Sequence, residues 1–316
     1  APNRGEGDGT PDPCMRSPSL LARLALLLLV FPAEAASISA EPAEDLPASV
    51  FTWNGDKGYQ IYVDLVQWWL DRCAATPTPI VEKMTLFWHN NFVFEGATVM
   101  IPQYMFKQNT LLCSYATGNF KELTKQISRD PAMLIYLDGR YNVVGNPNEN
   151  YARELLELFT MGIGNYSELD VREAARSLTG WILSGLGTVL VPSRHDYGNK
   201  TFLGQTGNFD DNDIADIVFN QQVTAKFICK KIYKAFIHEK TDLSYAQPII
   251  DEMANVLRSS NYEIAPLMKT LLKSKLFYSD DAISSLIKSP IDLMLGGIKL
   301  MNITFDSSVI TTRLNY

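Results

Sequence analysis

Asn146-Pro147-Asn148-Glu149-Asn150-Tyr151-Ala152-Arg153-Glu154-Leu155-Leu156-Glu157-Leu158-Phe159-Thr160-Met161-Gly162 decides the fold class. Asn146 can accept the N–H of Glu149, Pro147 suits a first helical position, and Glu149 can reach back as in a capping box. On a wheel of about 100° per residue, Tyr151, Ala152, Leu155, Leu156, Leu158 and Phe159 share one half. Glu149, Asn150, Arg153, Glu154, Glu157 and Thr160 share the other, with Met161 the exception. Gly162 and Gly164 then end the helix, as glycine does where a chain turns left-handed. The pattern predicts a helix over 147–161.

A second helix is expected over 168–182. Ser167-Glu168-Leu169-Asp170 has the capping-box form. Val171, Ala174, Ala175, Leu178, Trp181 and Ile182 make its apolar side. Glu168, Arg172, Arg176 and Thr179 make its polar side, with Glu173 at the edge. Ala152, Ala174 and Ala175 would let the two helices approach closely. The spacing Glu149, Arg153, Glu157 supports two readings. One is a salt-bridge ladder on a solvated face, worth a few tenths of a kcal/mol per pair. The other is the lining of a cleft, with Asn148, Asn150 and Trp181 beside it.

Helical periodicity extends outward from this pair over 59–74, 79–91 (Thr78 as cap), 101–115, 119–128, 131–137, 213–219, 224–238, 245–259, 264–274 and 290–301. In 79–91, Ile80, Met84, Phe87, Trp88 and Asn91 share one side, and His89 lies opposite with Glu82 and Thr85. Strand signals are few: 141–144 and 187–191 could pair as a small ribbon. The expected class is all-α (mainly α), a multi-helix bundle with one irregular loop region at 183–210.

The composition is globular, with 46% hydrophobic and 20% charged residues. The formal charge of −7 argues against non-specific binding to nucleic acid or anionic lipid. Cys14, Cys73, Cys113 and Cys229 form no C-x-x-C pair, which argues against a zinc ribbon or thioredoxin-type site.

Residues 15–35 have the form of a secretory signal peptide: Arg16 and Arg23, an apolar run from Leu24 to Phe31, then Ala33-Glu34-Ala35 as a cleavage pattern. The run is short for a bilayer span, which takes about 20 residues. The expected organisation is an upstream segment 1–14, the signal 15–35, a linker 36–54, a helical domain 55–302 and an unassigned tail 303–316. The expected location is secreted or periplasmic, with no stable membrane span after signal removal. Removal of the signal leaves three cysteines, either one disulfide and a free thiol or three free thiols.

The stretch 148–162 closely resembles the signature of a large, mostly bacterial family catalogued as domain of unknown function 1800. So do Asp170-Val171-Arg172-Glu173-Ala174-Ala175-Arg176 to Thr179-Gly180-Trp181, Phe87-Trp88-His89-Asn90-Asn91-Phe92, Asp130-Pro131-Ala132-Met133, and His195-Asp196 with Gly198, Lys200 and Leu203-Gly204. Lys288-Ser289-Pro290 fits near the end, and the resemblance runs from about 58 to 302. It implies a helical, commonly exported protein. It also implies a partner, since members often sit beside an exported protein that resembles the phosphatase and sulfatase fold. Two departures stand out. The family often has a histidine where this chain has Asn91, so a joint metal site with His89 would be short of one ligand. The family also usually continues beyond 302 with a Gly-Trp motif, which is not found here.

For chemistry, the candidate catalytic residues are Glu154, Glu157, Arg153, His89, His195 and Asp196, with Asn148, Glu149, Asn150, Arg176 and Trp181 as further polar-site residues. Arg153 would keep Glu149 and Glu157 ionised, and a buried Glu154 would be the perturbed acid. A metal bound by Glu154, Glu157 and Asp196 with His89 or His195 would be Mg²⁺, Ca²⁺ or Mn²⁺. H-E-x-x-H, G-x-S-x-G, Walker and dinucleotide patterns are absent, so no cofactor is indicated. His238, at a helix end, reads as a cap. Two functions follow as expectations: a hydrolase acting on an extracytoplasmic substrate, or a non-catalytic secreted scaffold binding a partner protein.

Overall fold

The computed structural model describes residues 56–301 apart from 243, with side chains from 61 onward. The signal peptide, its flanking segments and the tail lie outside the described residues. The chain opens with α1 (Asp56–Ala75), α2 (Pro79–Asn91), the short α3 (Gly96–Val99), α4 (Pro102–Ser114), α5 (Phe120–Ser128) and α6 (Pro131–Tyr136). Next comes α7, which is α-helical over Asn150–Glu154 and π-helical over Leu155–Thr160, and then α8 (Glu168–Ser177). Two antiparallel ribbons follow, β1 (Trp181–Ser184) with β2 (Gly187–Leu190) and β3 (Lys200–Phe202) with β4 (Gln205–Gly207). α9 (Asp211–Asn220), α10 (Gln222–Phe236), α11 (Ala246–Ser259), α12 (Ile264–Lys273) and α13 (Pro290–Met301) close the chain. The fold is mainly α.

The core is aromatic at its centre. Trp88 is fully buried, stacks on Phe120 at 4.9 Å, and donates its indole N–H to Ala116 O at 2.9 Å. Phe92 joins this cluster and meets Phe159 of α7 edge-on at 5.2 Å. α7 is thereby packed against α2. Such ring pairs add about 0.5–1.5 kcal/mol beyond the area they bury.

Several expectations are corrected. Thr78 precedes Pro79 but gives no side-chain cap; its hydroxyl lies against Thr76 Oγ1. The 147–161 helix begins only at Asn150, and the Asn146–Glu149 box does not form. Asn146 instead pairs with Val143 in an isolated bridge, and Asn148 Oδ1 accepts the N–H of Asn150 at 2.9 Å. The ribbon between 141–144 and 187–191 is not made, because Gly187–Leu190 pairs with Trp181–Ser184. The 168–182 helix therefore ends at Ser177, and Trp181 and Ile182 are strand residues. Gly180, at φ 98°, is the cause: a left-handed residue there breaks the helix and starts the strand.

The π-turn explains two wheel errors. A π-helix advances by less than 100° per residue, so the faces rotate. Leu158, expected inside, is 43% exposed; Thr160, expected outside, is fully buried and donates to Leu155 O. Ala152, Ala174 and Ala175 are fully buried where α7 meets α8, as their size suggested.

Candidate functional site

The signature residues lie on α7, on α8 and in the ribbon region that α8 holds. The Ser167–Asp170 capping box is formed in both directions. Asp170 does more than cap: its Oδ1 also accepts the N–H of Leu203 at 2.7 Å, at the turn between β3 and β4. Despite partial burial, these bonds hold its carboxyl below the usual range.

One turn on, Glu173 Oε2 accepts Arg176 Nη1 at 2.8 Å and the N–H of Thr201 at 3.1 Å. Arg176 donates Nε to Asp196 Oδ2 at 2.8 Å, Nη2 to Asp196 Oδ1 at 3.3 Å and Nη1 to Asn199 O at 3.2 Å. This forked pairing is the geometry in which Arg outperforms Lys. The guanidinium holds the Asp196 carboxyl below its ordinary value. Thr179 Oγ1 donates to Arg176 O at 2.7 Å and accepts the N–H of Asp196 at 2.8 Å. Buried His195 places Nδ1 2.8 Å from Thr179 O, so that nitrogen carries the proton. The fully buried side chain of Lys200 ends among Asp196 O, Asn208 Oδ1 (3.3 Å) and Phe209 O (2.8 Å). Burial pushes its pKa down.

Asn142 connects the two ends of this arrangement and carries no sequence signal beyond its type. Its Nδ2 donates to Ala175 O at 2.8 Å, and its Oδ1 accepts the N–H of Asn148 at 2.9 Å. Gly180 then donates to Asn142 O at 3.0 Å. A Cβ on Gly180 would lie 3.1 Å from His195 N, on top of the left-handed strain. Gly180→Ala should therefore lose more than about 1 kcal/mol in chemical denaturation.

The remaining candidates are dispersed. Arg153 pairs with Glu149 at 3.3 Å and, through both terminal nitrogens, with Glu168 at 2.8 and 2.7 Å. It does not pair with Glu157, which accepts Tyr166 Oη at 2.9 Å. The expected ladder is thus half formed, and its other arm runs to α8, where Arg172 also reaches Glu149 at 3.8 Å. Glu154 is half-buried with no hydrogen-bond or ion-pair partner among the described residues. Burial, then the nearby Glu157 charge, raises its pKa. Exposed Asn150 only donates its N–H to Asn148. The Trp181 indole lies under the Arg129 guanidinium at 5.1 Å.

His89 is elsewhere. It sits between Trp69 at 5.4 Å and Phe94 at 4.4 Å, where burial lowers its pKa to about 4. It shares no hydrogen-bond or ring partner with His195, which meets Tyr197 edge-on. Asn91 faces away from His89: its Oδ1 accepts Lys231 Nζ at 2.7 Å. Positions 89 and 91 therefore do not converge on one metal. Among the described residues, no group of three or more His, Cys, Asp or Glu is arranged to hold a metal ion. Cys73, Cys113 and Cys229 are free thiols. His238 accepts the N–H of Lys240 at Nδ1, 3.0 Å away. No described helix is long and apolar enough to cross a membrane.

A family model described as "Protein of unknown function (DUF1800)" matches residues 18–315. No curated protein and no solved structure matches the chain.

Proposed function

Because the chain belongs to the DUF1800 family, whose description carries no activity, we propose from its geometry that the domain is a non-catalytic exported scaffold that presents the ribbon region 181–207 to a partner protein. One observation carries this reading: the polar side chains of α8 that face the ribbon region are spent internally. Asp170, Glu173 and Arg176, with Thr179 just beyond the helix, each bond to the segment 195–203. A catalytic group needs a free face toward substrate, and these have none to spare. Within the ribbon region Tyr197, Leu186 and Val189 are exposed. Exposed apolar side chains of this kind are available to a partner surface.

The partner this reading favours is the exported phosphatase-fold protein that the family resemblance implies. The test is co-expression followed by size-exclusion chromatography. The complex should survive Glu154→Gln and be lost in Arg176→Gln, whose 195–203 segment should become protease-sensitive. A second reading rests on Glu154, the half-buried acid with a raised pKa. If Glu154→Gln abolishes a hydrolytic activity of the purified protein at unchanged melting temperature, the domain is a hydrolase and the scaffold reading falls.

A further inference from the structure

Gly162, just past the end of α7, stands at φ 81°. A Cβ there would lie 2.8 Å from Cε2 of Phe227 on α10, so glycine lets that ring close on the backbone. Where these two pieces meet α11 they leave an open cavity of about 310 Å³. Small-ligand pockets begin at roughly 300 Å³. Met161, Val223, Phe227 and Ile250 make its apolar wall. Ile163 also lines it and is 79% exposed, an apolar side chain left at the mouth. Lys226 and Lys230 line the same cavity, and no Asp or Glu among the described residues does. Both lysines are exposed, and their spacing of four puts them side by side on one face of α10. Lys226 pairs with Asp251 at 2.8 Å. Lys230 has no hydrogen-bond or ion-pair partner among the described residues. Lys231 does not line the cavity, but its Nζ lies 4.9 Å from the centre of the Phe227 ring, held by Asn91 Oδ1 and Leu158 O rather than by a carboxylate. The cavity and its aromatic wall thus carry three lysines against one carboxylate, a local positive excess on a chain of net charge −7.

We propose that this cavity binds a small aliphatic monocarboxylate, with the chain against Met161, Val223, Phe227 and Ile250 and the carboxylate at the Lys230 ammonium. Burial of the chain supplies affinity, and the lysine fixes which end faces out. The carboxylate stays at the mouth and keeps part of its hydration, so its desolvation cost is small. One unpaired ammonium matches one negative charge. A phosphate dianion would call for a guanidinium fork or for both lysines, and Lys226 is already paired. The cavity lies outside the ribbon region 181–207, so the proposal does not rest on the scaffold reading.

The test is titration calorimetry of the full chain with sodium octanoate, 1-octanol and sodium acetate at equal ionic strength. Octanoate should occupy one saturable site. Octanol, which keeps the chain and loses the charge, should bind about tenfold more weakly. Acetate, which keeps the charge and loses the chain, should not bind. The double variant Lys226→Gln, Lys230→Gln alters two exposed side chains, and should bind octanoate about tenfold more weakly and octanol as before. Absent or non-saturating octanoate binding overturns the proposal. So does octanol or acetate binding as tightly as octanoate, and so does undiminished octanoate binding by the double variant. A second measurement covers a variant that fails to fold. In the wild-type protein, acetic anhydride labelling of Lys230, mapped by peptide mass, should be suppressed by octanoate, while exposed Lys269 on α12 is labelled as before. Equal labelling of Lys230 with and without octanoate also overturns the site.

Discussion

Asp130→Asn should give a protein whose stability climbs by about 3 kcal/mol more than that of the wild type between pH 4 and 6.5. Asp130 caps α6, accepting the N–H of Met133 at 3.0 Å and Gln108 Nε2 at 2.7 Å. Burial nevertheless raises its pKa from 3.8 to about 7. In this interval the folded state holds a proton that the unfolded chain has released, so stability falls as pH rises. His89 has the opposite sign. Its pKa is lowered from 6.5 to about 4, so the unfolded chain holds the extra proton and stability rises with pH. Each slope is about 1.4 kcal/mol per pH unit, and over the shared interval they cancel. Asn keeps the capping oxygen and removes the titration, which exposes the histidine's slope. His89→Phe, which preserves the ring contacts with Trp69 and Phe94, should expose the falling slope of Asp130. Urea denaturation across this interval reads both. Parallel pH profiles for wild type and both variants would refute the assignment.

Lys200→Met should destabilise the protein by about 1–3 kcal/mol, the cost of leaving buried acceptors without their donor. The substitution fills much the same volume. It leaves Asp196 O, Asn208 Oδ1 and Phe209 O facing a thioether in place of an ammonium. The loss should be local first: limited proteolysis should cut within 195–209 before the helices are attacked. The Arg176 fork also loosens, because Lys200 bonds the backbone of the residue that Arg176 grips. A Lys200→Met protein as stable as wild type, with an intact ribbon region, would show that the cation is dispensable.

The two substituted residues, Asp130 and Lys200, had only family resemblance to mark them. Periodicity was enough for the helices, because apolar residues at three- and four-residue spacing leave little choice of secondary structure. α10 and α11 emerge within two residues of their expected limits. The second helix of the signature was over-extended for a physical reason. Leu178, Trp181 and Ile182 continue the helical spacing, and only the left-handed conformation at Gly180, set by its contact with Asn142, ends it. The polar site was partly legible. Arg176 and Asp196 meet as a pair, and the Ser167–Asp170 cap is made. Glu157 was grouped with them by its spacing on the helix and His89 by resemblance and residue type, and none of these reports where a side chain points. Asn142 was invisible, since its role is to bridge two backbones that are separated in the chain.

The π-turn of α7 has a consequence for relatives of this chain. A wide turn of this kind holds one residue more than an ordinary turn in the same axial length. A relative lacking one residue between Leu155 and Thr160 could keep Tyr151 and Met161 anchored while closing that stretch into plain α-helix. The lost residue would act as a ratchet tooth, turning the intervening side chains by roughly a quarter of a circle. Leu158, now in solvent beside the Lys231 contact to its carbonyl, would swing toward the core, and the same scaffold would show a different face to its surroundings.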